Sequence, residues 1–528
     1  MLHFFAKKKG FLALYAATSG VFFSLAFPPK LVYGLEFVAL VPILCLVFVP
    51  ISSKRCFLYA WVAFTTAFTL YLRWYFDILP ISWLEADTTP LLVCVVGLTL
   101  LLSAGWLAVW PAALLAMSRH FSKKNPSFLI PILMLGWPLF EYLRAVSHSF
   151  HPYILGPGTI FGEHWGFMLL GYTIADYPFL RHVASVFGEY GLSFIVLLPN
   201  VAFFLLVSYF LSIYSKQKEN FTKNFLRHQK LSTAIVCIIL FLALSFAGRY
   251  FYQKDVQRRH DDLWNIALVQ TDIASATIRN DRDRDIWQKN QRQVQQAAKA
   301  ALTARPEILV LPEGAPGLFD IPQPHILDSQ LPDPYPSLAQ IREEVGEEQY
   351  LLIIDNDLPP SWFDDTHNTT TLLDNQNGFV GTYHKRFLMP WGEYTPFLTD
   401  WVSRVFGFYW SAYRFSRIPG ETANIFTTPI GTIGLLTCSE LVSPKLVRET
   451  AKNGADIIIF SSSNAILHGS SQLQHQSLSM AKIHAAALGV PIVYAANSGE
   501  SFIVDQRGDV LWRGTSSAIT PIIANIPR

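Results

Sequence analysis

The chain has 528 residues, enough for two or three domains, and a formal net charge of +2, which excludes a nucleic-acid partner held by bulk charge. Only 15% of it is charged and 51% is apolar, whereas soluble proteins carry roughly 25% charged residues, so an ordinary soluble globule is excluded. Five cysteines without a C-x-x-C spacing exclude a disulfide framework and a cysteine-built zinc site.

The apolar residues concentrate in residues 1–250. A helix needs about 20 mostly apolar residues to cross a bilayer. Seven candidate spans fall at 10–28, 32–51, 56–76, 90–117, 127–146, 183–213 and 231–250. "KKK" at 7–9 precedes the first, yet more spans follow at once with no convincing cleavage site, so it reads as an uncleaved anchor. Basic residues alternate between the connections. Lys7, Lys8 and Lys9 share a side with Lys54 and Arg55, with Arg119, Lys123 and Lys124, and with Lys216, Lys218, Lys223, Arg227 and Lys230. The opposite connections, 77–90 and 147–182, hold little basic charge. Positive charge stays in the cytoplasm, so the N-terminus is expected there and everything after Tyr250 outside. In a two-membrane bacterium that is the inner membrane and the periplasm. Arg249, Lys254, Arg258 and Arg259 run weakly against this orientation.

Within the fifth span, Glu141 and Arg144 are three apart and share a helix face. Charges at membrane depth face protein or a wet cavity. Two expectations stand: a pair that fixes helix packing, or a polar site for a lipid headgroup or lid.

Residues 251–263 read as a linker. From Trp264 onward, short β runs alternate with amphipathic helices. Strands are predicted at 264–271, 307–314, 350–356, 369–375, 378–385, 455–463, 490–499, 501–514 and 519–526. The pair around Gln376-Asn377 forms one hairpin, and 424–440 forms another, turning at Pro429-Ile430-Gly431. Helices are predicted at 283–304 and at 472–489, the latter stopped by Gly489. Such a sheet needs helices on its faces, so the expected fold is a multi-span helical membrane domain followed by an α/β sandwich. Residues 386–420 fit no regular element and are rich in aromatics, including Trp391, Trp401 and Trp410. A long aromatic loop is expected to be a satellite hydrophobic cluster or a lid that touches the bilayer.

Three polar residues sit where predicted strands end: Glu313, Lys385 and Cys438. Strand ends are where sites assemble in open α/β sheets. A thiol attacks as thiolate, and a nearby cation lowers its pKa. A carboxylate can take the proton and return it. A lysine can face a developing oxyanion. Taken singly, each residue also has a plain structural reading: a core cysteine, a loop carboxylate, a surface charge.

"LPEGA" (311–315), "GTYHKRFLMPWGEYTPF" (381–397) and "GLLTCSE" (434–440) resemble the Glu, Lys and Cys blocks of the nitrilase superfamily. With the preceding spans, "AFPPKLVYGLEFVALVPIL" (26–44) and "EYLR" (141–144), the chain resembles the bacterial apolipoprotein N-acyltransferase family over essentially its whole length. That resemblance implies a nitrilase-like αββα sandwich over 264–528. It implies Glu313 as general base, Lys385 as oxyanion stabiliser and Cys438 as nucleophile. Glu393, Glu440 and Asn368 match further active-site positions. The implied reaction is ping-pong. An acyl chain passes from a phospholipid, typically phosphatidylethanolamine, to Cys438 and then to the amine of a diacylglyceryl-cysteine at an apolipoprotein N-terminus.

The sequence departs from that pattern in places. Ser439 stands where the family has an aromatic residue. "SSSNAILHGSSQ" (461–472), around Asn464, lacks an Asp and two aromatics, and His484 stands where an Arg is usual. The family's final returning span has no counterpart before Arg528, so the C-terminus is expected outside. The walls that select donor and acceptor are therefore altered. His468 and His484 lie in no ligand pattern of known spacing, so no metal or other cofactor is expected. The membrane is the expected surroundings, and nothing in the sequence asks for more than a monomer. Three other outcomes remain open: a membrane-tethered amidase with the same residues, a non-catalytic lipoprotein- or lipid-binding relative, and a transporter with a soluble appendage.

Overall fold

The structure, a computed structural model, describes residues 9–81, 89–151, 155–156, 159–213, 221–257, 263–273, 284–314, 349–355, 367–376, 378–406, 417–422, 425–514 and 519–528. They form two units. The first comprises Met1–Phe76, Pro90–Ala145 and Gly166–Gln257; the second comprises Asp77–Thr89, Val146–Trp165 and Arg258–Arg528.

The first unit is helical: α1 (Lys9–Ser24), α2 (Ser53–Tyr71), α3 (Pro90–Lys124), α4 (Leu129–Ser147), α5 (Ala184–Ile213) and α6 (Phe221–Val256). Among the described residues four stretches are long and apolar enough to cross a membrane: Pro90–Lys124, Pro126–Phe150, Ala184–Ile213 and His228–Val256. The others are shorter or less apolar. α1 has 16 residues, and α2 opens with Lys54 and Arg55 and carries Thr65, Thr66 and Thr69.

The span expected at 32–51 is not one continuous helix. It is broken into Leu35–Phe37, Val41–Leu44 and Cys45–Phe48. Gly34 takes a left-handed φ of 87° ahead of it, and Pro42 sits in the first turn of the middle piece. Away from water the freed backbone groups need partners. Asn200 of α5 supplies some: its Oδ1 accepts from Leu40 N at 3.0 Å and its Nδ2 donates to Glu36 O at 2.8 Å. Arg119 of α3 donates through Nε to Ile51 O at 2.8 Å, and through Nη1 to Val47 O.

Glu141 and Arg144 are both buried. Glu141 Oε1 accepts from Trp137 Nε1 at 3.0 Å and Leu170 N at 2.8 Å. Arg144 donates to Met168 O at 3.0 Å, with its guanidinium 4.9 Å from the Phe68 ring centre. Both side chains thus hold the backbone of 168–170.

The second unit holds two six-stranded sheets. The strands are β1 (Leu263–Gln270), β2 (Ile308–Val310), β3 (Leu352–Asp355), β4 (Thr369–Asp374), β5 (Gly378–His384), β6 (Ile425–Thr428), β7 (Gly431–Thr437), β8 (Ile457–Ser463), β9 (Ile492–Asn497), β10 (Phe502–Val504), β11 (Val510–Arg513) and β12 (Thr520–Pro527). One sheet runs β12-β1-β2-β3-β4-β5 and the other β11-β10-β9-β8-β7-β6. Each has a parallel centre, β1-β2-β3 and β7-β8-β9, and antiparallel flanks. Both expected hairpins form, β4–β5 and β6–β7.

The helices of this unit are α7 (Arg284–Leu302), α8 (Phe397–Phe406), α9 (Pro444–Lys452) and α10 (Ser471–Leu488). α7 buries Val294, Ala298 and Ala301 against Ala267, Val269, Leu309 and Ile353 of the first sheet. α9 and α10 cover the second sheet. α10 ends at Gly489, whose φ of 68° is the left-handed conformation that favours glycine. The sheets face each other across Trp264 Nε1 donating to Ile430 O at 3.0 Å and Ser461 donating to Leu311 O at 3.0 Å. This is the αββα layering of a nitrilase-like sandwich.

The aromatic segment 386–420 departs from the sequence reading, because it contains α8. The helix turns Phe397, Trp401 and Val405, spaced four apart, outward; they are 66%, 51% and 56% exposed. Asp400 and Arg404 pair at 2.7 Å along it. Phe397, Trp401 and Val405 do recur at the helical period, but their stripe faces outward within a segment crowded with other aromatics, so it was not read as a core-facing helix.

Candidate active site

The hairpin β4–β5 and the strands β2 and β7 bring four sequence-predicted residues together. Glu313 follows β2, Asn368 precedes β4, Lys385 follows β5 and Cys438 follows β7. Thr370 and Thr437 hydroxyls meet at 3.3 Å between the sheets beside them. Cys438 has a φ of 48°. For a non-glycine residue that backbone is strained, and such strain concentrates at functional turns. The Cys438 thiol points at Ser463 O, 3.7 Å away.

A short polar chain links the rest. Asn368 Nδ2 donates to Glu313 Oε1 and to Glu393 Oε1, each at 2.7 Å. Glu393 Oε2 pairs with Lys385 Nζ at 2.8 Å and accepts from Met389 N at 2.7 Å. Glu313 Oε2 is buried, and the Cys438 thiol is placed to hydrogen-bond the Glu313 carboxyl. Glu313 and Cys438 are close enough to shift each other's ionisation.

The electrostatics follow from burial. Desolvation raises the Glu313 pKa; Lys385 lowers it and Glu393 raises it further. Desolvation opposes charge on Lys385, but Glu393, Cys438 and Glu313 outweigh it, and the ammonium is held. Burial and then Glu313 push the Cys438 thiol up to about 12, while Lys385 pulls the other way. The expected lowering by a nearby cation is present, through Lys385, but burial and Glu313 outweigh it. Burial thus favours the protonated thiol, with the Glu313 carboxyl close by.

Glu440 is buried beside this cluster, within electrostatic reach of Lys385. Its Oε2 accepts from Tyr383 Oη at 2.5 Å and Thr437 N at 2.7 Å. Its Oε1 accepts from Arg386 N at 2.7 Å and Phe387 N at 3.0 Å. One carboxylate therefore ties the turn carrying Cys438 to the chain leaving Lys385. Ser439 donates to Phe387 O at 3.1 Å and adds to the same tie. Trp391 donates through Nε1 to Thr399 at 2.9 Å. Trp401 lies on the exposed face of α8, and Trp410 lies outside the described residues. His484 is buried against Leu441 O at 3.2 Å, and Asn464 N donates to Asn497 O at 2.8 Å.

Two contributors escaped sequence reasoning. Arg417 is buried, donates its backbone N–H to Glu393 O at 2.9 Å, and is within electrostatic reach of Glu393 and Glu313. The connection Val146–Trp165 belongs to this unit. Thr159 meets the Tyr394 hydroxyl at 3.1 Å, His164 meets Ser443 at 2.8 Å, and the His164 ring stacks on Phe387 at 4.8 Å. No local signal marked either; the low charge of 147–182 showed only that the connection was not basic.

Residues 265–528 match the carbon-nitrogen hydrolase family, and residues 19–202 match the apolipoprotein N-acyltransferase N-terminal domain. The chain belongs to the carbon–nitrogen hydrolase family, on its apolipoprotein N-acyltransferase branch. An apolipoprotein N-acyltransferase of Geobacter metallireducens is 25% identical, over 97% of this chain and 88% of that one. One from Haemophilus ducreyi is 27% identical, over 82% of this chain and 76% of the relative. Among solved structures, a carbon-nitrogen hydrolase from Helicobacter pylori is 18% identical, with a TM-score of 0.33 over 51% of this chain and 90% of that one. Saccharomyces cerevisiae Nit3, of the nitrilase superfamily, is 17% identical, with a TM-score of 0.35 over 50% and 89%.

Proposed function

We propose that this carbon–nitrogen hydrolase family member is a membrane-bound N-acyltransferase of lipoprotein maturation. It moves an acyl chain from a phospholipid, through a thioester on Cys438, to the amine of a diacylglyceryl-cysteine at an apolipoprotein N-terminus. The observation that carries this reading is a half-buried thiol beside a buried carboxylate and a buried ammonium at three strand ends, with four helices of membrane-crossing length among the described residues.

In the first half-reaction Glu313 takes the thiol proton as sulfur attacks the ester carbonyl. Lys385 faces the oxyanion that develops. Collapse expels the alkoxide, which takes the proton from Glu313 and leaves as lysophospholipid. In the second, the amine attacks the thioester, Glu313 accepts a proton from it, and the departing sulfur takes that proton back. Asn368 and Glu393 position Glu313 and Lys385. A site buried from water protects the thioester between the halves.

The donor is phosphatidylethanolamine in this reading, and the enzyme works as a monomer. It crosses the bacterial inner membrane seven times, with its N-terminus in the cytoplasm and the second unit in the periplasm. Residues 386–420 act as a lid over lipid, a role supported by the exposed Trp401 on α8.

Intact mass of the detergent-solubilised chain, mixed with phosphatidylethanolamine of defined chains, tests this. A hydroxylamine-labile gain of one acyl chain is expected, absent in Cys438→Ala and discharged by a diacylglyceryl-cysteine peptide. No adduct with any lipid would sink the reading. Discharge to water alone would turn it into an amidase-like hydrolase.

A further inference from the structure

We propose that the end of the α2–α3 helix pair holding Lys54 and His120 binds the headgroup of an anionic glycerophospholipid. A cavity of about 370 Å³ opens there. Its polar lining is Ser53 and Lys54 from α2 and His120 from α3; Phe57, Met117 and Phe121 supply the apolar wall. It is open to the surface rather than enclosed, and its lining surface is mainly apolar.

The charge around it is of one sign. Lys54, Arg55, Arg119, His120, Lys123 and Lys124 cluster at this end of the pair. Neither 53–71 nor 90–124 contains an Asp or Glu. Two of the six are committed: Arg119 is buried and donates to Ile51 O and Val47 O, and Lys123 reaches Ile51 O at 3.5 Å. Lys54 and His120 are exposed at the cavity, and no ion pair engages Lys54, Arg55 or Lys124 among the described residues.

The apolar side fits a lipid rather than a free anion. Met117, Phe121 and Leu58 are 42%, 39% and 50% exposed on the same two helices. An acyl chain laid along them would cover that surface while its phosphate met Lys54 and His120. Basic residues between helices at a membrane surface attract anionic headgroups. The two helices are held as a pair by Trp61 Nε1 donating to Gly105 O at 2.8 Å, so the cavity walls are fixed in place.

The test is native mass spectrometry of the full chain in detergent, titrated with phosphatidylglycerol or phosphatidylcholine of identical chains. The unaltered protein should retain phosphatidylglycerol preferentially. The variant Lys54→Gln/His120→Ala should lose about tenfold of that binding, and Lys254→Gln should lose none. Equal retention of the two lipids, or an unchanged double variant, would overturn the proposal. Should the double variant fail to fold, phosphatidylglycerol bearing a headgroup diazirine can be crosslinked to the unaltered chain. Adducts at 53–57 and 116–121 support the site, and adducts only elsewhere refute it. Acyl-enzyme formation on Cys438 is read separately, so this site and the proposed reaction fail independently.

Discussion

Glu313 carries a conflict that a variant can expose. Burial raises its pKa above the ordinary carboxylate value. The folded state therefore favours the protonated form. The stability this gives is present in full below the unfolded pKa and is lost as pH rises through the folded one. At neutral pH the burial is a cost, which the proposed role as base to the thiol would justify. Glu313→Gln should abolish acyl-enzyme formation and raise the thermal midpoint of the second unit at neutral pH. A gain of about 2–4 °C corresponds to one kcal/mol in a domain of this size. The gain should shrink towards acid pH. An equal or lower midpoint at neutral pH would contradict the assignment of the shift. Glu393 gives a companion prediction. It raises the Glu313 pKa directly and also neutralises Lys385, which lowers it. Both effects have one sign, so in Glu393→Gln the acid limb of the residual activity should move to lower pH. A limb that stays or moves up would remove Glu313 as the titrating base.

At the level of strands and turns, Lys385 is placed by contacts far along the chain. Its N–H donates to Asn368 O at 2.8 Å, and its carbonyl accepts from Gly420 N at 2.9 Å. A Cβ at Gly420 would collide with the His384 carbonyl. Gly420→Ala should therefore displace the end of β5 and cut acyl-enzyme formation by at least about 100-fold, the cost of roughly an ångström of misplacement. Circular dichroism should show the fold retained; full activity would show that the strand end tolerates the shift. This dependence explains what could be read from sequence. Glu313, Lys385 and Cys438 were legible because each directly follows an apolar β run. Asn368 and Glu393 were legible only through resemblance to a family. Arg417 was not legible, since its partner lies 24 residues earlier across an aromatic segment. α8 was missed because its apolar stripe faces outward, so no core-facing pattern was written into it. The broken helix at 35–48 was missed because composition registers apolarity, whereas Asn200 and Arg119 decide where the backbone can break.

The topology of the chain turns on that broken segment. Leu35–Phe48 is 14 residues by its end numbers, about 21 Å if helical throughout, against a hydrocarbon core of about 30 Å. If it fails to cross, the count becomes even and Arg258–Arg528 changes sides. Charge argues that it crosses. Without that crossing, Lys54 and Arg55, with Arg119, Lys123 and Lys124 at the far end of the α2–α3 hairpin, would all face away from Lys7, Lys8 and Lys9. Three single-cysteine reporters separate the cases: Tyr33, which is 66% exposed before the broken segment, Lys54 just after it, and Asp509 in the second unit. An impermeant maleimide applied to intact spheroplasts should label the Tyr33 and Asp509 positions and spare Lys54 until the membrane is opened. Labelling of Tyr33 and Lys54 from one side would show that the segment turns back. The second unit would then face the cytoplasm, away from an acceptor displayed on the outer leaflet.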